Sequence, residues 1–255
     1  MKKLLLNLFA LSMLTTASAA DDFNFDTTNP LSLLNETFEA AQSYRNQTLQ
    51  LDGWQNVVFA GDRAWWGYNQ LDATEYMAKA TSYVLGATTP VDCEMWLVTP
   101  ALDYNTAATK VFTFDVMSDI LFAGQEHRLE VFYIDPTDPA KPIAQYLADL
   151  APYIPFEDES MENTWYPLMV SLQRVPDVVE TADVFFMAFR FVGKLYNNGG
   201  TYYIDNVTWG VQELPLSTES VIDIHAPHVQ KILRNGQVII QREGKTYNAL
   251  GQEVK

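Results

Sequence analysis

The chain has 255 residues, 48% hydrophobic and 13% aromatic, with 32 acidic against 16 basic side chains and a formal charge of −16. That apolar content excludes a disordered chain, and the charge excludes nucleic acid and anionic lipid as partners, because phosphate-rich surfaces would be repelled. A single cysteine, Cys93, excludes an internal disulfide, so stability must come from a large core or a bound metal.

Lys2 and Lys3 precede an apolar run from Leu4 to Leu14, and Ala17-Ser18-Ala19 follows. This is the layout of a signal peptide over residues 1–19. A run of this length falls short of the about 20 apolar residues of a membrane span, so export without membrane insertion is expected, to the cell surface, the medium or the periplasm. About 235 residues remain, the size of one all-β domain. Losing Lys2 and Lys3 leaves −18, unevenly spread: residues 231–255 carry +3 and residues 20–230 about −21.

Residues 20–33 read as a mobile polar lead-in. Strand patterns begin at residue 34. Thr109 to Met117 alternates, with Phe112, Phe114 and Val116 on one face. Arg128 to Asp135 places Leu129, Val131 and Tyr133 opposite Glu130, Phe132 and Ile134. Val184 to Val192 is apolar on both faces except at Arg190, the mark of a central strand. Pro142, Ile143, Leu147 and Leu150 recur at helical spacing until Pro152, which predicts one short helix. Glu157-Asp158-Glu159 reads as a solvated loop. Asn197-Asn198-Gly199-Gly200 is a turn before a last strand, Tyr202 to Trp209. Residues 211–230, with Pro215 and Pro227, read as a linker. The basic tail, 231–255, holds turn signals at Asn235-Gly236 and Glu243-Gly244 and reads as hairpin-like, too small to fold alone.

Several segments stand together in a familiar order: Glu36-Thr37-Phe38-Glu39, Gly53-Trp54, Gly61-Asp62-Arg63-Ala64-Trp65, Trp96-Leu97-Val98-Thr99-Pro100-Ala101-Leu102-Asp103 and Tyr203-Ile204-Asp205-Asn206-Val207. Over residues 34–210 the chain resembles the cleaved-adhesin, or choice-of-anchor J, domains of Bacteroidota, which also occur in gingipain adhesin regions. The resemblance implies an all-β jelly-roll sandwich of the galactose-binding or carbohydrate-binding-module kind, often with structural calcium and an adhesin role. It puts Glu36 on the first strand, Asp205 on the last and Asp62 on a glycine-led loop as calcium ligands. No contiguous EF-hand loop is present. The tail is similar to C-terminal segments of Bacteroidota surface proteins, some of which are sorting signals, although it is shorter than a full sorting domain.

Glycan binding stacks sugar rings on flat aromatic faces beside a few orienting polar groups. Trp65, Trp66 and Tyr68 cluster on one segment and are the candidates. One strand cannot bury both indoles on both faces, so either both serve a ligand or one packs inward. Trp54, Trp96 and Trp209 read as core. Glycosidase chemistry needs two carboxylates across a cleft, and Asp115, Asp119, Glu126 and Glu130 offer pairs that no spacing singles out. No Gly-x-Ser-x-Gly elbow is present. His127 reads as an exposed loop residue, and Pro227 denies His225 and His228 the helical spacing of a zinc helix. Cys93 has no neighbouring histidine and reads as an inert buried thiol. The expected function is an exported, non-catalytic binding module for a glycan or a host or matrix protein. A secreted hydrolase with a hidden carboxylate pair, or a structural surface component, is the alternative.

Overall fold

A computed structural model describes residues 23–69, 75–119, 127–137, 144–150, 164–172 and 182–211, with the backbone of strands at 221–222, 229–234, 237–242 and 245–248. Among the described residues the chain is a jelly-roll β-sandwich, with one 3₁₀ turn at Glu39–Tyr44. Its first strands are β1 (Leu34–Glu36), β2 (Gln55–Ala60), β3 (Trp66–Tyr68), β4 (Met77–Thr81), β5 (Val91–Val98) and β6 (Leu102–Asp103). β7 (Val111–Ser118), β8 (Arg128–Ile134), β9 (Ala144–Asp149), β10 (Tyr166–Ser171), β11 (Val184–Leu195) and β12 (Thr201–Trp209) follow. The last four are β13 (Val221–Ile222), β14 (Val229–Arg234), β15 (Gln237–Arg242) and β16 (Lys245–Asn248).

One sheet runs β13-β10-β7-β12-β4-β3, with β1 also on β12; the other runs β2-β5-β11-β8-β9, with β6 also on β11. The period-2 alternation read from the sequence decides what lies between them. Phe112, Phe114 and Val116 of β7, Leu129, Val131 and Tyr133 of β8, and Ile204, Val207 and Trp209 of β12 all enter one core. β11 is central, as its doubly apolar pattern requires: Phe185, Met187, Phe189 and Phe191 face that core, while Phe186 and Ala188 face outward.

Three expectations are corrected. Where the spacing predicts a helix over 142–152, the described residues Ala144–Asp149 are strand β9, paired antiparallel with β8 from Glu130↔Asp149 to Ile134↔Ala144. A register shift between Val131 and Phe132 lets consecutive residues Leu147 and Ala148 both reach the core, so a helix-like spacing is satisfied by a bulged strand. The lead-in is not a free segment from Phe23 onward. Phe23 is 8% exposed and sits 5.5 Å from the Phe59 ring and 5.7 Å from Trp96, and Phe25 sits 5.0 Å from Phe186. Leu31 continues it by donating its N–H to the Ala101 carbonyl at 2.8 Å. Burying aromatic rings on an otherwise exposed sheet face outweighs the polar residues between them. Finally, the linker carries β13, which adds to the edge of the sandwich by pairing in parallel with β10 at Met169↔Val221.

The tail forms three antiparallel strands, β14-β15-β16, one more than a hairpin. Residues 1–22, the acidic loop at 157–159, Glu126, His225 and His228 lie outside the described residues.

Candidate functional site

The site is built by alternation on β3. Trp65 and Trp66 are adjacent, so a strand must send them to opposite sides. Trp65 is fully buried in the core, 6.4 Å from the Phe189 ring, and so cannot offer its face to a sugar. The Asn56 side chain fixes that orientation: its amide donates to the Trp65 carbonyl at 2.8 Å and its oxygen accepts the Trp65 N–H at 3.0 Å. Trp66 and Tyr68 therefore stand on the outer face of the seven-stranded sheet. Gly67 between them is required by close approach, because a Cβ there would lie 2.6 Å from the Ala41 carbonyl oxygen. The 3₁₀ turn thus packs directly behind the two rings.

Register across the sheet completes the platform. Trp66 is opposite Lys79 on β4, Lys79 opposite Tyr203 on β12, and Tyr203 opposite Met117 on β7. Met77, Met117 and Tyr203 form a buried patch on this outer face, flanked by the half-buried Tyr68 and Trp165. The Tyr68 and Tyr203 rings lie 5.2 Å apart. Two cations stack on these rings. The Lys79 ammonium is 4.3 Å from the Tyr68 centroid and 5.4 Å from Tyr203, and the Arg63 guanidinium is 4.8 Å from Trp66. Burial lowers the Lys79 pKa; nearby Asp119 opposes that shift and nearby Arg63 adds to it. The Tyr203 hydroxyl donates to Asp119 at 3.1 Å, and burial raises its pKa so that the proton stays.

The expected calcium ligands do not converge. Glu36 lies opposite Val207, a core residue, and its carboxylate accepts the Phe38 N–H at 2.7 Å. Burial raises the Glu36 pKa, while the Phe38 and Trp54 donors hold it back. Asp205 stands on the outer face of the same sheet, because a bulge at Asn206 (φ 49°) reverses the alternation between Asp205 and Val207. Asp62 acts electrostatically on Cys93 of the other sheet. Among the described residues no group of three His, Cys, Asp or Glu side chains is placed to hold a metal ion. The groups that do act on Asp205 are Asp115, Glu75 and Glu39; with burial as the larger cause, they raise its pKa to about 7.

Asp205 and Asp115 face each other in register, and glycosidase chemistry needs a pair of carboxylates. Their bonds point to another role. Asp205 is 8% exposed and accepts the Asn206 N–H at 2.7 Å, while the Asn206 amide donates to Asp115 at 2.8 Å. The pair holds the bulge. Of the other carboxylates, Glu130 is bound to Arg190 and Asp119 to Tyr203. Burial pushes the Cys93 thiol up to about 12, which leaves almost no thiolate to react. His127, expected to be exposed, is half-buried beside Tyr202, with its pKa lowered by burial.

Trp54 packs against the core and Trp209 lies within it, as expected. Trp96 is also fully buried, but on the outer face of the six-stranded sheet beneath Phe23. Sequence reading missed Lys79, Tyr203 and Trp165 as members of the platform. Only strand register brings them beside Trp66, and no local motif encodes that.

No family model matches the chain, and no curated protein matches it. Among solved structures it is similar to the K3 cleaved adhesin domain of Lys-gingipain from Porphyromonas gingivalis W83, at 19% identity over 69% of this chain and 97% of that one, TM-score 0.46. The K1 cleaved adhesin domain of the same protein is 16% identical over 69% and 96%, TM-score 0.39. TmCBM61, solved with β-1,4-galactotriose, is 10% identical over 68% and 93%, TM-score 0.39. The sandwich itself is read from the strand pairings above. No helix among the described residues is long and apolar enough to cross a membrane.

Proposed function

We propose that this chain is an exported, non-catalytic module that binds a glycan on the outer face of its seven-stranded sheet. The observation that carries the reading is the platform itself. Trp66 and Tyr68 are only half-buried, Tyr68 flanks a buried apolar patch, Arg63 and Lys79 lie on the two rings, and Asp119 binds the neighbouring Tyr203 hydroxyl. Flat aromatic area bordered by a few orienting polar groups is what pyranose stacking uses. The signal-like residues 2–19 support export. Catalysis is disfavoured because Asp205, the one described carboxylate raised to about 7, is closed to a substrate.

The test is affinity electrophoresis of the full chain through gels holding soluble polysaccharides, with human matrix proteins assayed in parallel. At least one polysaccharide should retard the wild type, and Trp66→Ala should weaken that retention at least tenfold while the fold survives. Retention by none of them, or equal retention of Trp66→Ala, would remove this face as a glycan site. Capture by matrix protein alone would move the reading to the other adhesin class.

A further inference from the structure

The cations on the platform identify the chemistry of its ligand. In a chain with 32 acidic side chains against 16 basic ones, carboxylates are plentiful as partners for a cation. Elsewhere in the sandwich Arg128 and Arg190 are paired to Glu130, and Lys194 to Asp92. Of the others, Arg45 is exposed and Lys110 donates to the Tyr104 and Ala107 carbonyls, whereas Arg63 and Lys79 rest on the platform rings. Among the described residues neither has a carboxylate oxygen within 4.0 Å, and Arg63 lies near enough to Lys79 to disfavour its charge. Asp119 acts on Lys79 only through its charge, and its carboxylate is engaged by the Tyr203 hydroxyl. The net charge of −16 repels a polyanion at long range, but Arg63 and Lys79 are a local pair of like charges over aromatic rings, with no carboxylate partner among the described residues to offset them at short range.

The stacking gives the same answer from the ligand's side. The two cations sit on ring faces where a sugar would stack, 4.8 Å from Trp66 and 4.3 Å from Tyr68. A neutral pyranose would have to displace them and forfeit the cation–π attraction. An acidic pyranose can move them aside and keep them as partners, because the planar guanidinium fork of Arg63 matches a carboxylate and Lys79 supplies a second point charge. Resting on the proposal that this face binds glycan, we infer that the ligand is a uronate-containing polysaccharide, its carboxylates taken by Arg63 and Lys79 and its rings by Trp66 and Tyr68.

The experiment titrates the full chain with polygalacturonate, with its fully methyl-esterified form and with neutral galactan. The expected result is binding to polygalacturonate that weakens at least tenfold on esterification. It should also weaken at least tenfold in the Arg63→Gln/Lys79→Gln variant, whose melting temperature stays near that of the wild type. Esterification needs no mutation, so the result stands even if that variant folds poorly. Equal binding to the esterified and free polymers, or to galactan, overturns the uronate inference and leaves the glycan reading in place. Binding to dextran sulfate but not to polygalacturonate overturns the carboxylate assignment. Binding to no saccharide at all overturns both.

Discussion

The sandwich has two outer faces, built by the same alternation yet finished in opposite ways. On the six-stranded sheet Arg190 donates to Glu94 at 2.9 Å and to Glu130 at 3.0 Å, and the Trp96 indole donates to Glu94 at 2.9 Å. Phe23 and Phe25 close over the apolar part of that face. Its Arg190 charge is matched, and the Trp96 and Phe186 rings are covered by Phe23 and Phe25 of the chain's own N-terminal segment, with Tyr146 at the sheet edge left 45% exposed. On the seven-stranded sheet, Lys79 and Arg63 sit on rings without a carboxylate partner among the described residues. A face satisfied internally serves stability. A face that holds unmatched charge beside half-buried rings is the one proposed to bind, and five substitutions separate the two roles.

The largest effect belongs to the satisfied face. Arg190→Met leaves Glu130, 6% exposed, with only the longer contact to the half-exposed Arg128 at 3.5 Å, a loss approaching that of a broken buried pair, about 3–5 kcal/mol. Urea denaturation at pH 7 measures it, and polysaccharide affinity should not change. A loss below about 1 kcal/mol would mean the face is wetter than its geometry implies.

Adjacent tryptophans give the sharpest contrast. Trp65→Ala empties a fully buried site and should cost about 3–5 kcal/mol, whereas Trp66→Ala should cost about 1 kcal/mol or less while removing binding. Equal stability losses for the two would place both indoles in the core.

Asp205 supplies the pH dependence. Its folded pKa of about 7 lies above the ordinary aspartate value of 3.8, so between pH 4 and pH 7 the folded state keeps a proton that the unfolded chain has released. Stability therefore falls as pH rises through that window, by about 2–4 kcal/mol in all. Asp205→Asn should abolish the fall and raise the melting temperature at pH 8 in EDTA. Calcium answers in the same melts: if it binds beside Asp205, EDTA lowers the wild-type melting temperature and the variant loses that response. Identical wild-type melts with and without EDTA speak against a stabilising ion.

The smallest effect is at the N-terminal segment. Phe23→Ala should cost about 2 kcal/mol, less than a central core position, because the ring covers the sheet from one side. It should leave the platform's affinity unchanged. A change there would link the two faces.

Much of the fold was legible in the sequence because apolar alternation is a local signal. β7, β8, β11 and β12 could be read with their inward residues, and so could the inertness of Cys93. At Trp65 and Trp66 the residues showed that one strand could not bury both rings, but not which one it would bury. Where two periodicities fit the same residues, the reading failed: Leu147 and Leu150 suit a helix, and only the free edge of β8 made that segment β9. Phe23 and Phe25 looked like a polar lead-in because their partners, Trp96 and Phe186, lie far along the chain.

By itself the sequence determined the class, an acidic all-β sandwich with an aromatic segment near residue 66, because hydrophobic period and charge need no partner to be read. The tertiary structure decided which indole faces outward, that Lys79 and Tyr203 join it, and that a bulge at Asn206 parts Asp205 from Glu36. Each of these depends on strand register, a relation between distant segments that no local pattern carries.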